Sequence, residues 1–256
     1  MHWTVGRSFA EFIDVYGLES MPLSVLEIGS MNINGGLRDL AKHNMTWTGL
    51  DLEEGPGVDL KIEIGQPFPY ANKVFDLVVC SSVFEHDAQF WNTFLEMARV
   101  TKPGGLILVI APSNGAYHRY PIDAFRFYPD AGLAMERWAN SRGVPIHLLE
   151  SFTTFPDKDG WADFISIFSP NPAIKIPTRS LGEILEGENQ ILAGELVEFT
   201  RQNLPYEMRT IQKLQQELYD VIKDLDQAKT EILIMQNSKS WRVTGFLRVL
   251  RKILLR

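Results

Sequence analysis

Apolar positions change their spacing along this chain, and the changes mark out its elements. Short, nearly continuous apolar runs at Val25–Gly29, Thr46–Asp51, Phe75–Ser81 and Leu106–Ala111 read as strands. Between them, Gly36–His43 and Ala88–Val100 carry helical spacing, and Asp87 stands where it can cap the second helix. Lys102-Pro103-Gly104-Gly105 is a hard stop after that helix. Ile146–Thr153 and Trp161–Phe168 read as two more strands, an antiparallel edge pair. Strands that are apolar on both faces and alternate with helices imply an α/β fold, a doubly wound, mostly parallel sheet covered on both sides.

The pattern then breaks. Ser169-Pro170-Asn171-Pro172 and Ile176-Pro177 exclude helix and central strand, so 169–180 reads as a Pro-rich linker that closes a domain spanning 1–168. Leu181–Arg201 is helical in pattern, weakened by Gly187 and Gly194. Ile211, Leu214, Leu218, Val221, Leu225, Ala228, Ile232 and Met235 follow at alternating steps of three and four, with polar residues elsewhere. That seam in the helical region 181–236 has two readings: an amphipathic helix packed back on the domain, or a coiled coil that makes a homodimer through 204–236.

Charge separates the last segment from the rest. The chain of 256 residues has a net charge of −7, yet 237–256 holds Lys239, Arg242, Arg248, Arg251, Lys252 and Arg256 without an acid. The tail is thus +6 and the remainder −13. An acidic body excludes a general nucleic-acid binder, while the tail calls for an anionic partner. Trp241, Phe246, Leu247, Leu250, Ile253 and Leu254 among those cations make a basic amphipathic helix. Such a helix suits an anionic membrane surface, a partner enzyme or the protein's own core. The lone cysteine, Cys80, lies in an apolar run and reads as a packed strand thiol in a reducing cytoplasm. Neither a signal core nor an apolar run long enough to span a bilayer is present, so a soluble, cytoplasmic protein is expected, peripheral at the inner membrane face if the tail is an anchor.

Candidate chemistry begins at Leu26-Glu27-Ile28-Gly29-Ser30 and Thr48-Gly49-Leu50-Asp51. Gly29 permits a sharp turn and close approach of a ligand, and Asp51 ends the next strand, where a carboxylate can accept both hydroxyl protons of a ribose. Met31 occupies the second glycine position of a dinucleotide loop, which disfavours a pyrophosphate. The run Ser30-Met31-Asn32-Ile33-Asn34-Gly35 suits a smaller, less anionic nucleoside ligand cradled by backbone, Ser and Asn.

Over roughly residues 20–168 these pieces resemble the class I S-adenosylmethionine-dependent methyltransferases, type 11-like, of the kind found in bacterial surface-polysaccharide gene clusters. Val25-Leu26-Glu27-Ile28-Gly29-Ser30, Asn34-Gly35-Gly36, Gly49-Leu50-Asp51, Phe75-Asp76-Leu77-Val78-Val79, Val83-Phe84-Glu85-His86 and Arg99-Val100-Thr101-Lys102-Pro103-Gly104-Gly105 carry the resemblance together. It implies a Rossmann-like, seven-stranded sheet with its last strand antiparallel, and S-adenosylmethionine as cofactor. It places Glu27 and Gly29 at the methionine moiety and Asp51 at the ribose, with Ser30, Asn34, Gly35, Leu52 and Ser81 as further cofactor contacts. Glu63 is a candidate for the adenine amine or a solvated surface carboxylate.

The stretch Ala111–Asp130 follows a strand's carboxyl end, where open α/β sheets bind ligands, and mixes His, Arg, Asp and aromatics with turn residues. It suits a sugar-like acceptor, with Tyr117, Arg119, Tyr120 and Arg126 as contacts, or is a surface loop stapled by its aromatics. O-methylation needs a base for the hydroxyl proton; His118 leads, then Asp123, then His86, which could instead only cap a helix or touch the cofactor. No metal is expected, because no ligand cluster has metal spacing. The resulting expectation is an O-methyltransferase acting on a sugar or glycan in cell-surface polysaccharide biosynthesis. Its rivals are a small-molecule or lipid methyltransferase, and a non-catalytic scaffold in a glycan assembly complex.

Overall fold

The structure, a computed structural model, describes residues 3–156, 160–197 and 206–254. Two compact units divide the chain, Met1–Asn203 and Leu204–Arg256. The first is built on one mixed sheet of nine strands among the described residues, in the order β3-β2-β1-β4-β5-β7-β6-β8-β9. Its parallel part comprises β1 (Leu23–Ile28), β2 (Met45–Asp51), β3 (Leu60–Lys61), β4 (Phe75–Ser81) and β5 (Thr101–Pro112). β7 (Asp163–Ser169) runs antiparallel between β5 and β6 (His147–Thr153). The first seven strands give the expected mostly parallel sheet, but the predicted edge pair is internal. Its outer flank is covered by a hairpin of β8 (Glu188–Leu192) and β9 (Glu195–Leu196).

That hairpin replaces the helix predicted from Leu181. Only α4 (Leu181–Ile184) forms, capped by Ser180, whose hydroxyl accepts the Glu183 N–H at 3.1 Å. Gly187 then packs so closely on Phe152 that a Cβ would lie 2.4 Å from its ring. Glu186, Asn189 and Ala193 have φ of 54°, 55° and 48°, a left-handed backbone no α-helix can contain. The unit boundary therefore falls after the hairpin, not at the proline segment 169–180. Residues 198–201 of the predicted helix, 204–205 of the predicted dimer segment, the Leu250 and Lys252 side chains and Arg256 lie outside the described residues.

Strands buried on both faces explain the unbroken apolar runs. In β5, Ile107, Val109 and Ala111 face one core, with α2 (Phe90–Val100) and α3 (Asp130–Ser141); Leu106, Leu108 and Ile110 face the other. That second core is closed by α1 (Trp3–Val15), whose Val5, Phe9, Phe12 and Ile13 are buried at helical spacing. Sequence reading missed α1 and overextended Gly36–His43, which holds only a 3-10 turn at Leu37–Leu40. The Lys102–Gly105 segment stops α2 but continues as the start of β5 with a register shift. Asp87 lies before the cap position, accepting from Gln89 N at 2.7 Å and Thr93 Oγ1 at 2.5 Å. Cys80, on central β4, is 1% exposed, and burial pushes its thiol up.

Unit two begins with α5 (Tyr206–Asn237), a single 32-residue helix, and continues in α6 (Lys239–Val243) and α7 (Gly245–Leu254). The seam side chains Ile211, Leu214, Leu218, Val221, Leu225, Ile232 and Met235 are at least half exposed. The basic tail is thus two short helices rather than one. Arg248 lies 3.7 Å from the Trp241 ring and donates to the Trp241 carbonyl, tying α7 to α6 across the Thr244 break. Among the described residues, no helix is long and apolar enough to cross a membrane.

Candidate active site

Adjacent strands β1 and β4 have connections that leave in opposite directions, which opens a crevice at their carboxyl ends. A cavity of about 890 Å³ occupies it. Gly29, just after β1, has φ of 75°, and a Cβ there would stand 2.1 Å from Val83 Cγ2. Only glycine leaves that cradle open. Glu27, two residues earlier in the chain, is 5% exposed and accepts from Trp47 Nε1 at 2.8 Å. Burial pushes its carboxyl up to about 7, against the opposing pull of the Trp47 and Leu37 N–H groups and Arg38.

Asp51 closes β2 with its carboxylate at the cavity. One oxygen accepts from Met31 N at 2.9 Å and the other from Leu52 N at 2.7 Å, which fixes the group and leaves lone pairs for a diol. The loop between β1 and the 3-10 turn is shaped by Asn32, which accepts from Gly35 N and donates to Asp39, both at 2.9 Å. Of the expected cofactor residues, Glu27, Gly29, Asn34, Gly35, Asp51, Leu52 and Ser81 line the cavity. Ser30 does not: its hydroxyl is buried against Gly49, whose Cβ would come within 2.5 Å of Ser30 Oγ. Glu63 does line it, together with the 64–68 segment, Thr93 and Glu96, which no sequence signal marked. A glycine cradle beside a fixed carboxylate, in a space of this size, fits a nucleoside carrying a short amino-acid arm.

The acceptor side is narrower than the sequence suggested. Among its proposed residues only His86 and Tyr120 reach the cavity wall, with Pro121 beside them. Tyr117 is 73% exposed. Asp123 and Arg126 are committed to each other, with contacts of 2.5 and 2.9 Å, and Asp123 also accepts the His118 N–H at 2.7 Å. The Arg126 guanidinium holds the Asp123 carboxyl well below the usual carboxylate range. A carboxylate so occupied is a poor proton acceptor, and a guanidinium so neutralised has little left for a substrate. This pair shapes the loop, with Arg126 also donating to the Ala116 carbonyl at 3.0 Å. Arg119 is exposed and donates to the Pro121 carbonyl at 3.2 Å.

His118 lies outside the cavity wall but against His86, their ring centroids 5.0 Å apart and edge to face. His86 donates its Nδ1 proton to the Ile122 carbonyl at 2.5 Å, and His118 donates its own to the Ala116 carbonyl at 3.0 Å. In both rings Nε2 is the nitrogen that no backbone carbonyl engages. Burial lowers the His86 pKa, which favours its neutral form. Glu85 sits beneath them, 1% exposed, its carboxyl pushed up to about 7 by burial. Glu85 and His86 are neighbours in sequence, but His118 comes from a distant loop, which is why spacing gave no hint of the cluster.

Part of the chain is similar to known proteins. Residues 17–109 match the profile of a family described as a methyltransferase domain. Two ubiquinone/menaquinone biosynthesis C-methyltransferases are similar: one from Dinoroseobacter shibae, 28% identical over 101 residues, and one from Cereibacter sphaeroides, 32% identical over 104. Each alignment covers 38% of this chain and 39% of the relative, so the match spans about two fifths of the curated relatives' length. Among solved structures, a 1,6-didemethyltoxoflavin-N1-methyltransferase from Burkholderia thailandensis with bound S-adenosylhomocysteine aligns with a TM-score of 0.45 at 14% identity, covering 65% of this chain and 79% of that one. A SAM-dependent methyltransferase from Aquifex aeolicus aligns at 0.43 and 14%, covering 62% and 88%. The similarity to a methyltransferase domain thus extends over residues 17–109, a little over a third of the chain.

Proposed function

We propose that this chain transfers the methyl group of S-adenosylmethionine to a hydroxyl oxygen of a small polyol, a sugar or glycan unit. The observation that carries the reading is one continuous cavity with two chemistries. Gly29 and Asp51, a nucleoside cradle, line it together with His86 and Tyr120. The cofactor supplies a methyl group already activated on its sulfonium, so the protein needs only to align an acceptor and manage its proton. Asp51 holds the ribose diol, and Glu27, ionised beside the cofactor's ammonium, holds the amino-acid arm. Val83 and Gly29 press the backbone close to the ligand. The Nε2 atoms of the histidine pair are the groups available to draw on the acceptor's proton, while Tyr120 offers a ring face for a sugar.

A sugar-like acceptor in surface-polysaccharide assembly is supported by His86 and Tyr120 on the cavity wall and by the basic tail, which would keep the chain at the inner membrane face. The curated relatives favour a second reading, C-methylation of a small aromatic ring. α5 supports self-association through its exposed seam. One experiment tests the core of the proposal. S-adenosylmethionine and, separately, NAD are titrated into the protein, and then methyl-labelled cofactor is supplied with glycosides or with quinol-type rings. Binding of the first cofactor only, lost in Asp51→Ala, with the label recovered as a methoxy carbon on a glycoside, supports it. A label on ring carbon moves the assignment to C-methylation, and no binding sinks the enzyme reading.

A further inference from the structure

We infer that Glu85, His86 and His118 form a binding site for one divalent first-row transition-metal ion on the wall of the methyl-transfer cavity. Each brings one ligand atom, and the three atoms lie within 4.8 Å of one another. Three separate features make this a built site. First, both imidazoles are oriented alike: each Nδ1–H is spent on a backbone carbonyl, of Ile122 or Ala116, which fixes the ring and frees Nε2. That is the outer-shell arrangement by which proteins hold metal-binding histidines. Second, Glu85 is 1% exposed, and its Oε2 has no hydrogen-bond partner among the described residues. Its Oε1 lies 3.6 Å from His86 Nε2, too far for a hydrogen bond and on the side the histidines face. A buried carboxylate oxygen without a partner is costly, and a cation supplies what it lacks. Third, the nearby cation, Arg126, makes its hydrogen-bonded ion pair with Asp123 and acts on Glu85 only through space, so it leaves Glu85 Oε2 without a hydrogen-bond donor.

The ligand set decides the ion class. Two imidazoles and one carboxylate suit Zn²⁺, Fe²⁺, Co²⁺ or Mn²⁺ rather than Ca²⁺ or Mg²⁺, which take oxygen shells. Metal–ligand bonds of about 2.0–2.2 Å place the ligand atoms of one ion about 3–3.5 Å apart, so the widest separation, up to 4.8 Å, must contract by about 1.5 Å. His118 closes that gap with the 113–129 loop, which carries Ala116 along and so keeps the ring's hydrogen bond; its side chain is 43% exposed.

The ion's role rests on the methyl-transfer reading. His86 belongs to both cluster and cavity wall, so the ion's open positions would meet acceptor oxygens there. Coordination lowers the pKa of a bound hydroxyl, and the two rings then serve as ligands while the hydroxyl proton leaves to water.

The test reads the metal without turnover. Full-length protein is treated with chelator, desalted and titrated with Co²⁺ alone, following the visible d–d absorption, then challenged with Zn²⁺. One saturable equivalent, displaced by Zn²⁺, is expected. His118→Ala and Glu85→Gln should each weaken it by about 10-fold or more, while His43→Ala and His147→Ala leave it unchanged. His118 is exposed, so its variant folds even if the Glu85 variant does not. No saturable binding, or wild-type affinity in His118→Ala, overturns the site. Titration of S-adenosylmethionine on the same samples keeps the two questions apart. Cofactor binding without cobalt binding removes only the metal, and cobalt binding without cofactor binding leaves the metal site standing and removes its proposed role.

Discussion

Glu27 gives the cofactor reading a pH signature. In the ligand-free protein, burial raises its carboxyl from 4.5 to about 7, with Trp47, the Leu37 N–H and Arg38 pulling the other way and Asp39 adding to the rise. An ammonium group bound beside it stabilises the carboxylate and returns the pKa toward its ordinary value. Binding below pH 7 therefore releases a proton. At ~1.4 kcal/mol per pH unit, recovering the whole shift is worth about 3 kcal/mol, or about 300-fold in affinity. S-adenosylmethionine should bind nearly tenfold more tightly for each pH unit from about 5 to 7. It should weaken again above about pH 8 as the ligand's own α-amino group, normally near 7.7–8.0, loses its charge. Isothermal titration calorimetry in buffers of different ionisation enthalpy measures both the affinity and the proton count. Glu27→Gln should bind more weakly at pH 7.5 and show no rise below pH 7. 5′-Methylthioadenosine, which lacks the ammonium, should show no rise in either protein. An acid limb that persists unchanged in Glu27→Gln would refute the assignment.

Four further outcomes follow from geometry already described. The Glu27 carboxyl is neutral in the fold and stabilises it most below its unfolded pKa of 4.5, an advantage lost as pH rises through about 7; Glu27→Gln should therefore gain up to ~3 kcal/mol over wild type between pH 5 and 8 in ligand-free urea melts. Gly29→Ala adds a left-handed penalty of about 1–2 kcal/mol to the collision with Val83, and should lose cofactor binding; Gly29→Ala with Val83→Ala should recover the part due to the collision only. Tyr16→Phe removes the 2.6 Å bond to buried Glu150 and should cost about 1–3 kcal/mol in denaturant melts. If α5 pairs through its seam, Leu218→Asp should halve the mass measured by sedimentation equilibrium, whereas Gln215→Asp, off the seam, should not; a monomeric wild type would end the dimer reading.

Where residues met their partners through regular geometry, the chain could be read directly. Phe75–Ser81 is β4 to the residue, because its run Leu77–Cys80 is apolar and buried on both faces. Glu27, Gly29 and Asp51 were legible for a related reason: parallel β1 and β2 put their carboxyl ends side by side, so separation in sequence becomes proximity in space. α1 was missed although Val5, Phe9, Phe12 and Ile13 carry a helical stripe, since the segment was weighed only as a leader. The hairpin was hidden by brevity: β9 has two residues, and the left-handed positions at Glu186 and Ala193 are occupied by residues that advertise no turn. The loop beyond β5 was the least legible part. Its composition announced an acceptor site, but composition does not say that Asp123 will take Arg126 or that His118 will meet His86. Those pairings depend on an irregular backbone, and no period encodes it.

Cys80 turns the molecule into its own stability gauge. It is the single thiol of the chain, sits on β4 between β1 and β5, and is sealed from solvent. An alkylating reagent reaches it only when the centre of the sheet opens. Its modification rate, divided by that of the unfolded chain, then measures the opening equilibrium when reclosing is fast. Any ligand of the closed form slows that rate by a factor of 1 + [L]/Kd. Mass spectrometry of an unlabelled, unmutated protein can thus rank candidate cofactors and acceptors by the protection they confer on one sulfur atom.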